Sequence, residues 1–231
     1  MAALTKIALA GEGGQGVQAV GEILAEAAFL AGMEAAYIPN FGVEQRGGVS
    51  IAFVQMGTER IGAPKFKKAD ILVALSQRAV ERTKRYLTPN TLFIYDSSAL
   101  QPPEIDDQAI GVHNWDTVAP EAFADQVSNR PGKPLQPPPV GKAVGIPAAR
   151  VAKEELSPRV FNIIILGAII AASRILPPEI VKKSMEEKFR EKFAAKPQLA
   201  ELNYRAFARG QELFQKIAVA EGAESQWNRR P

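Results

Sequence analysis

Two glycine-dense stretches hold the residues best suited to chemistry. The first is Gly11-Glu12-Gly13-Gly14-Gln15-Gly16, in which Gly11, Gly13 and Gly16 match G-x-G-x-x-G. Glycines at this spacing let backbone amides approach an anion at the start of a helix. Gln15 adds a polar group at the mouth of such a site. The second stretch is Phe41-Gly42-Val43-Glu44-Gln45-Arg46-Gly47-Gly48. Its Arg46, set between Gln45 and Gly47, carries a planar guanidinium suited to bidentate contact with a phosphate or a carboxylate. Two other readings stay open. Tight turns need glycine with no ligand at all, and Arg46 can pair internally with Glu44 or another acid.

Other chemistries are thinly supported. The 231 residues include no cysteine, which excludes disulfides, thiolate metal sites and iron–sulfur clusters ligated by this chain. The single histidine, His113, has no companion nucleophile nearby and reads as structural. Asp70 and Asp96 flank apolar runs, where an aspartate more often caps a loop than performs catalysis. A net charge of +3 without a long basic block argues against dedicated nucleic-acid binding. The start of the chain lacks a signal-peptide layout, so a cytoplasmic location is expected.

The surrounding elements must position both loops. Lys6–Ala10 reads as a short strand, followed at once by the first glycine cluster. Val17, Val20, Leu24, Ala27, Ala28 and Ala31 then fall on one helical face, and Gly32 suits a helix end with positive φ. A second strand runs from Glu34 to Ile38 and stops at Pro39. A dinucleotide-binding unit would place an acid near that point to hold a ribose hydroxyl, yet Ile38, Pro39 and Asn40 supply none. The next strands are Val49–Met56, Asp70–Leu75 and Thr91–Tyr95. Ser76 is a natural N-cap for a helix carrying Ala79, Val80 and Tyr86. That helix's other face, Arg78, Arg82, Lys84 and Arg85, reads as solvated.

Regular signals thin out from 101 to 147, with a short strand (109–113) and a short helix (117–127) possible. Pro131, Pro134, Pro137, Pro138 and Pro139 forbid both helix interior and central strand there. Order returns with Ala148–Leu156. A helix over Arg159–Ile175 is apolar on every side and too short to span a bilayer, so it is expected to be buried. Further helices are expected to begin at Pro177-Pro178, with Ile180, Met185, Phe189 and Phe193 on one side, and to run over 198–219. The expected layout is one domain, 1–231. It divides into a Rossmann-like core (1–100), a proline-rich irregular segment (101–147), C-terminal helices (148–220) and a polar tail (221–231). The fold class is α/β: a three-layer α/β/α arrangement with a mainly parallel sheet.

Together these stretches resemble the γ subunit of 2-oxoacid:ferredoxin oxidoreductases, called domain III in the single-chain pyruvate enzymes. The two glycine motifs carry the likeness. Ile61-Gly62-Ala63-Pro64, the strand Ala69–Leu75, Asn162…Leu166-Gly167-Ala168 and Asn203…Ala206-Phe207…Gly210 support it. The proline-rich stretch is longer than the family's usual connection. The Gln45-Arg46-Gly47-Gly48 form is shared by branches acting on pyruvate, 2-oxoglutarate, branched-chain and aromatic 2-oxoacids, so it does not select a substrate.

The resemblance implies membership of an assembly that converts a 2-oxoacid, coenzyme A and oxidised ferredoxin to acyl-CoA, carbon dioxide and reduced ferredoxin. Thiamine diphosphate with magnesium and [4Fe–4S] clusters would then sit on companion α, β and ferredoxin-like δ subunits. This chain has neither the cysteines nor a Gly-Asp-Gly stretch followed by Asn. It is expected to be inactive alone, to contain no catalytic residue and no metal ligand, and to contact neither nucleic acid nor membrane. Gly11, Gly13, Gly14, Gln15, Gly16, Gln45, Arg46 and Gly47 are the residues expected to receive coenzyme A. A stand-alone NAD or FAD oxidoreductase and a pure scaffold subunit are the rival readings.

Overall fold

The computed structural model describes residues 4–41, 48–98 and 142–220. Strand β1 (Leu4–Glu12) leads through the glycine loop into helix α1 (Val17–Leu30), then β2 (Glu34–Asn40) and β3 (Val49–Gly57). Strand β4 (Ile71–Ala74), helix α2 (Gln77–Thr83) with a 3-10 turn (Lys84–Tyr86), and β5 (Leu92–Asp96) follow. Beyond 141 come β6 (Lys142–Ile146) and helices α3 (Ala148–Glu155), α4 (Phe161–Ser173), α5 (Pro178–Lys188), α6 (Arg190–Ala195) and α7 (Gln198–Ala220).

The six strands order as β2-β3-β1-β4-β5-β6. β1, β4, β5 and β6 are mutually parallel, and β3 runs against both of its neighbours, β1 and β2. The expected mainly parallel α/β/α sandwich is therefore present. Alternate residues of the strands feed two cores. Ile7, Leu9, Val54, Val73 and Ile94 meet α1, α3, α4, α5 and α7 on one face. Ala8, Ala10, Phe53, Leu72 and Phe93 meet α2, Phe66 and Tyr86 on the other. On that second face the rings of Phe53, Phe66 and Tyr86 contact one another edge-on, with centroids 5.4–6.4 Å apart.

Three expectations need correction. β2 continues through Pro39 to Asn40, because it is an edge strand and a missing N–H on its outer side breaks no ladder. The segment expected to be irregular up to 147 contains β6, paired with β5 from Leu92↔Lys142 to Asp96↔Ile146. A single helix carrying both Met185 and Phe193 is instead two, divided at Phe189 (φ −110°, ψ 16°), which leaves helical geometry. That turn sets Phe193 against Phe189 and Tyr204 (centroids 5.5 and 6.3 Å). The possible elements at 109–113 and 117–127, the proline run, His113 and the tail lie outside the described residues.

Helix α4 is buried on almost every side, as its all-apolar sequence requires. It crosses α7 where Gly167 faces Gly210. A Cβ on Gly167 would overlap the carbonyl oxygen of Phe207, and one on Gly210 that of Ile164. The two backbones thus touch directly. Ser184 of α5 donates its hydroxyl to the Ile23 carbonyl (2.9 Å), tying the helical layer to α1.

Candidate functional site

The parallel strands all end at one edge of the sheet, and neighbouring crossovers leave that edge on opposite faces. After β1 the chain turns to α1 on the helix-rich face; after β4 it turns to α2 on the other. The gap between β1 and β4 is thus the topological switch point, where open α/β sheets bind ligands.

The glycine loop fills one side of this gap. Gly14 (φ 92°) and Gly16 (φ 72°) adopt left-handed backbone that other residues resist. Gly13 and Gly14 are exposed. Gly11 belongs to β1 and serves packing, since a Cβ there would come 2.6 Å from Gln15 Oε1 and 2.7 Å from Val17. Gln15 is buried and committed to the protein. Its Oε1 accepts from the Glu12 N–H (2.7 Å) and its Nε2 donates to the Leu75 carbonyl (3.4 Å). It staples the loops after β1 and β4 to each other instead of offering its amide to the mouth.

What does remain open is the first turn of α1. No side chain among the described residues caps it and no acid lies within it, so its amides and the positive end of the helix dipole are available to an anion. Asn162, the second residue of α4, lies against Gly16, where an added Cβ would overlap its amide. Gln18 is occupied elsewhere. It donates to Ser50 Oγ (2.5 Å) and the Ile51 carbonyl (3.3 Å), and accepts from the Tyr37 hydroxyl (2.7 Å).

Two buried acids lie at this edge of the sheet, Glu12 beside the gap and Asp96 at the end of β5. Glu12 is 1% exposed, and among the described residues neither carboxylate oxygen makes a well-formed hydrogen bond. Among the described residues it pairs with Arg78, 3.9 Å from Oε2 and too far for a hydrogen bond. Burial raises the Glu12 pKa above the ordinary glutamate value; the nearby Ser76 hydroxyl and Arg78 pull it partly back. Asp96, at the end of β5, accepts from the Ser98 N–H (2.8 Å) and from the Ala149 N–H of α3 (3.1 Å). It caps a loop and a helix start, as its sequence position suggests. Burial nevertheless pushes it up to about 6, against those hydrogen bonds. Asp70 is likewise structural, accepting from the Lys6 N–H (2.9 Å), and Ser76 caps α2 through the Ala79 N–H (3.1 Å).

Gln45, Arg46 and Gly47 lie outside the described residues. The residues flanking them are placed at this same edge. Glu12 pairs with Val49, Asn40 with Ile51, and the Gly13 N–H donates to the Gly48 carbonyl (3.2 Å). The sheet order also bears on the dinucleotide reading. β3 separates β2 from β1, so the end of β2 stands about 10 Å from the glycine loop, two strand spacings away. A ribose-binding acid there would be misplaced whatever its identity. Glu12, at one of the motif's variable positions, and Asn162, the polar residue opening an apolar helix, were not among the expected site residues. Both signals were present as a polar residue amid apolar neighbours at an element's end. Among the described residues no group of three or more His, Cys, Asp or Glu is placed to hold a metal, and no helix is long and apolar enough to cross a membrane.

Residues 6–213 match the family model described as pyruvate ferredoxin/flavodoxin oxidoreductase. The chain is 27% identical over 207 residues to the ketoisovalerate oxidoreductase subunit VorA of Methanothermobacter thermautotrophicus, covering 90% of this chain and 36% of that one. It thus spans little more than a third of that relative. Against the pyruvate/ketoisovalerate oxidoreductases common subunit gamma of Pyrococcus furiosus it is 29% identical, over 91% of this chain and 96% of the relative. The fold matches the 2-oxoglutarate:ferredoxin oxidoreductase of Magnetococcus marinus, a structure with 2-oxoglutarate, coenzyme A and succinyl-CoA bound. There the TM-score is 0.72 at 25% identity, over 94% of this chain and 32% of that one.

Proposed function

The chain belongs to the pyruvate ferredoxin/flavodoxin oxidoreductase family, and from that premise we propose that it is the γ-type subunit of a 2-oxoacid:ferredoxin oxidoreductase. The assembled enzyme would oxidatively decarboxylate a 2-oxoacid with coenzyme A, giving acyl-CoA, carbon dioxide and reduced ferredoxin. The observation that carries this reading is the near end-to-end match to a subunit named gamma. The residues of this chain do not fit an iron–sulfur cluster, since the sequence has no cysteine. They show no thiamine diphosphate–magnesium motif either. Those groups belong, in this proposal, to α, β and ferredoxin-like δ companions, and the location is cytoplasmic.

The rim does fit an anionic group. We assign the coenzyme A diphosphate to the uncapped start of α1, approached across exposed Gly13 and Gly14 and beside Asn162. Gly11 and Gln15 hold that loop's shape, Gly16 gives it its turn, and Gln45, Arg46 and Gly47 complete the set. The test is purification from the native host. A brown complex containing a thiamine-binding chain and a cysteine-rich chain is the expected result, and a colourless monomer overturns the reading. Within the complex, Arg46→Ala should raise the KM for coenzyme A while leaving assembly intact. Loss of assembly with unchanged coenzyme A affinity would make this chain a scaffold.

A further inference from the structure

Among the described residues the exposed large apolar side chains are Phe29 (73%), Leu30 (37%) and Phe41 (69%). All three bracket one element. Phe29 and Leu30 close α1 just before β2 begins at Glu34, and Phe41 follows β2 directly. Phe29 continues the helical stripe Gln18, Gly21, Ala25. That stripe faces β2, for Gln18 holds the Tyr37 hydroxyl and Gly21 lies against the Tyr37 ring. β2 itself is the outermost strand, paired on one side with β3. An edge unpaired among the described residues, with an aromatic at each end, is therefore concentrated on one flank of the molecule.

We propose that this flank is a docking surface for a companion polypeptide, which receives Phe29 and Phe41 in two apolar recesses on either side of the β2 edge. The proposal rests on the γ-subunit reading above. β2 has 7 residues, which at ~3.3 Å per residue separates the two anchors by ~23 Å. A standard interface of ~800 Å² per partner is roughly 30 Å across, so one partner can cover both. A second copy of this chain is a poor occupant. Pro39 lacks the N–H that edge-to-edge pairing needs, Glu34 adds a charge, and a two-fold pairing would meet each defect twice. A different polypeptide is the better one. This unit makes up 36% of VorA and 32% of the Magnetococcus chain, yet 96% of the Pyrococcus γ subunit. The same unit is thus joined covalently to further chain in some relatives and stands alone in others. Where it stands alone, contact with that further chain requires an exposed surface, and side-chain anchors beside a blunted edge provide one.

The test is co-expression of the full chain with the companion chains that co-purify with it, comparing wild type with Phe29→Glu/Phe41→Glu. Both side chains are solvent-exposed, so the thermal midpoint of the isolated variant should match wild type. Its association with the companion should weaken by roughly 30-fold or more, the usual consequence of losing two aromatic anchors. Phe29→Ser/Phe41→Ser, polar without added charge, should weaken it in the same direction. Lys67→Glu, exposed beyond the opposite face, should leave association unchanged. Wild-type association by both double variants overturns the docking surface while leaving the γ-subunit reading intact. Wild type that captures no companion overturns both. A wild-type homodimer that the double variants convert to monomer assigns the surface to a second copy and overturns the proposal.

Discussion

The switch-point rim and the α4–α7 crossing both depend on glycine, and they use it in opposite ways. At the crossing, Gly167 and Gly210 exist to be small: any side chain would overlap a carbonyl of the facing helix, and Ile164, Ala168 and Phe207 around them are apolar and buried. At the rim, Gly14 and Gly16 exist to be left-handed, and Gly14 has open space where a Cβ would go. Among the described residues the rim also leaves a buried carboxylate without a well-formed hydrogen bond and a helix start without a side-chain cap. A region that keeps such local costs without a packing return is where function is expected; a region in which every local choice serves packing is scaffold. Equal glycine content therefore carries different meanings in the two places.

The largest expected effect comes from the crossing. Gly210→Ala places a methyl group on the Ile164 carbonyl, and neither backbone can retreat without separating two helices. A loss of about 3 kcal/mol is expected, at the upper end for overpacking. For a chain of this size that lowers the thermal midpoint by roughly 10 °C. Coenzyme A affinity of whatever complex still assembles should be unchanged. A drop in that affinity comparable to the loss of stability would erase the distinction drawn between the two regions.

Much of this division can be read in the chain itself, and the rest depends on partners far away in sequence. The loop and α1 are local: an apolar run, glycines, then a 3.6-residue period, and the helix duly covers Val17–Leu30. Helix α4 announces its burial by having no polar face. Strand order is another matter. Nothing within Val49–Gly57 records that it inserts antiparallel between β1 and β2. β6 is a strand of only five residues that follows a proline run, and its regularity comes from pairing with β5, some fifty residues earlier. The same holds for the site. Glu12 is a spacer within its motif until β4 and α2 bury it, and Asn162 is a helix flank until it meets Gly16.

A smaller effect separates two glycines within the rim. Gly16→Ala must hold a left-handed backbone and displace the Asn162 amide, for about 2 kcal/mol; Gly14→Ala bears the backbone term alone, about 1 kcal/mol. Only Gly16→Ala disturbs the amide placed beside the α1 start. In the assembled enzyme it should raise the KM for coenzyme A about tenfold, with Gly14→Ala changing it less. Steady-state kinetics alongside thermal denaturation tests both. If Gly16→Ala lowers stability and leaves that KM untouched, the rim glycine is a packing glycine like Gly210.

The smallest effect has the opposite sign. Asp96 is raised from 3.8 to about 6 by burial, so the folded chain keeps a proton that the unfolded chain releases. Its stabilising contribution is complete below pH 3.8 and is lost as the pH rises through 6. Between pH 7 and pH 5 this amounts to a gain of about 1 kcal/mol. Glu12, also raised by burial, acts in the same direction. Glu12→Gln keeps the shape and removes the cost of burying a charge, so it should increase stability at pH 7.5, and the gain should shrink as the pH falls. Asp96→Asn should flatten the pH dependence, since one amide oxygen can still accept from Ser98 or Ala149. No substitution at the α4–α7 crossing should alter the pH slope, because that crossing buries no titrating group. Denaturant titrations at the two pH values decide the matter. A Glu12→Gln variant less stable than wild type at pH 7.5 would mean that the rim carboxylate supports the fold, and that the rim and the crossing differ in chemistry but not in purpose.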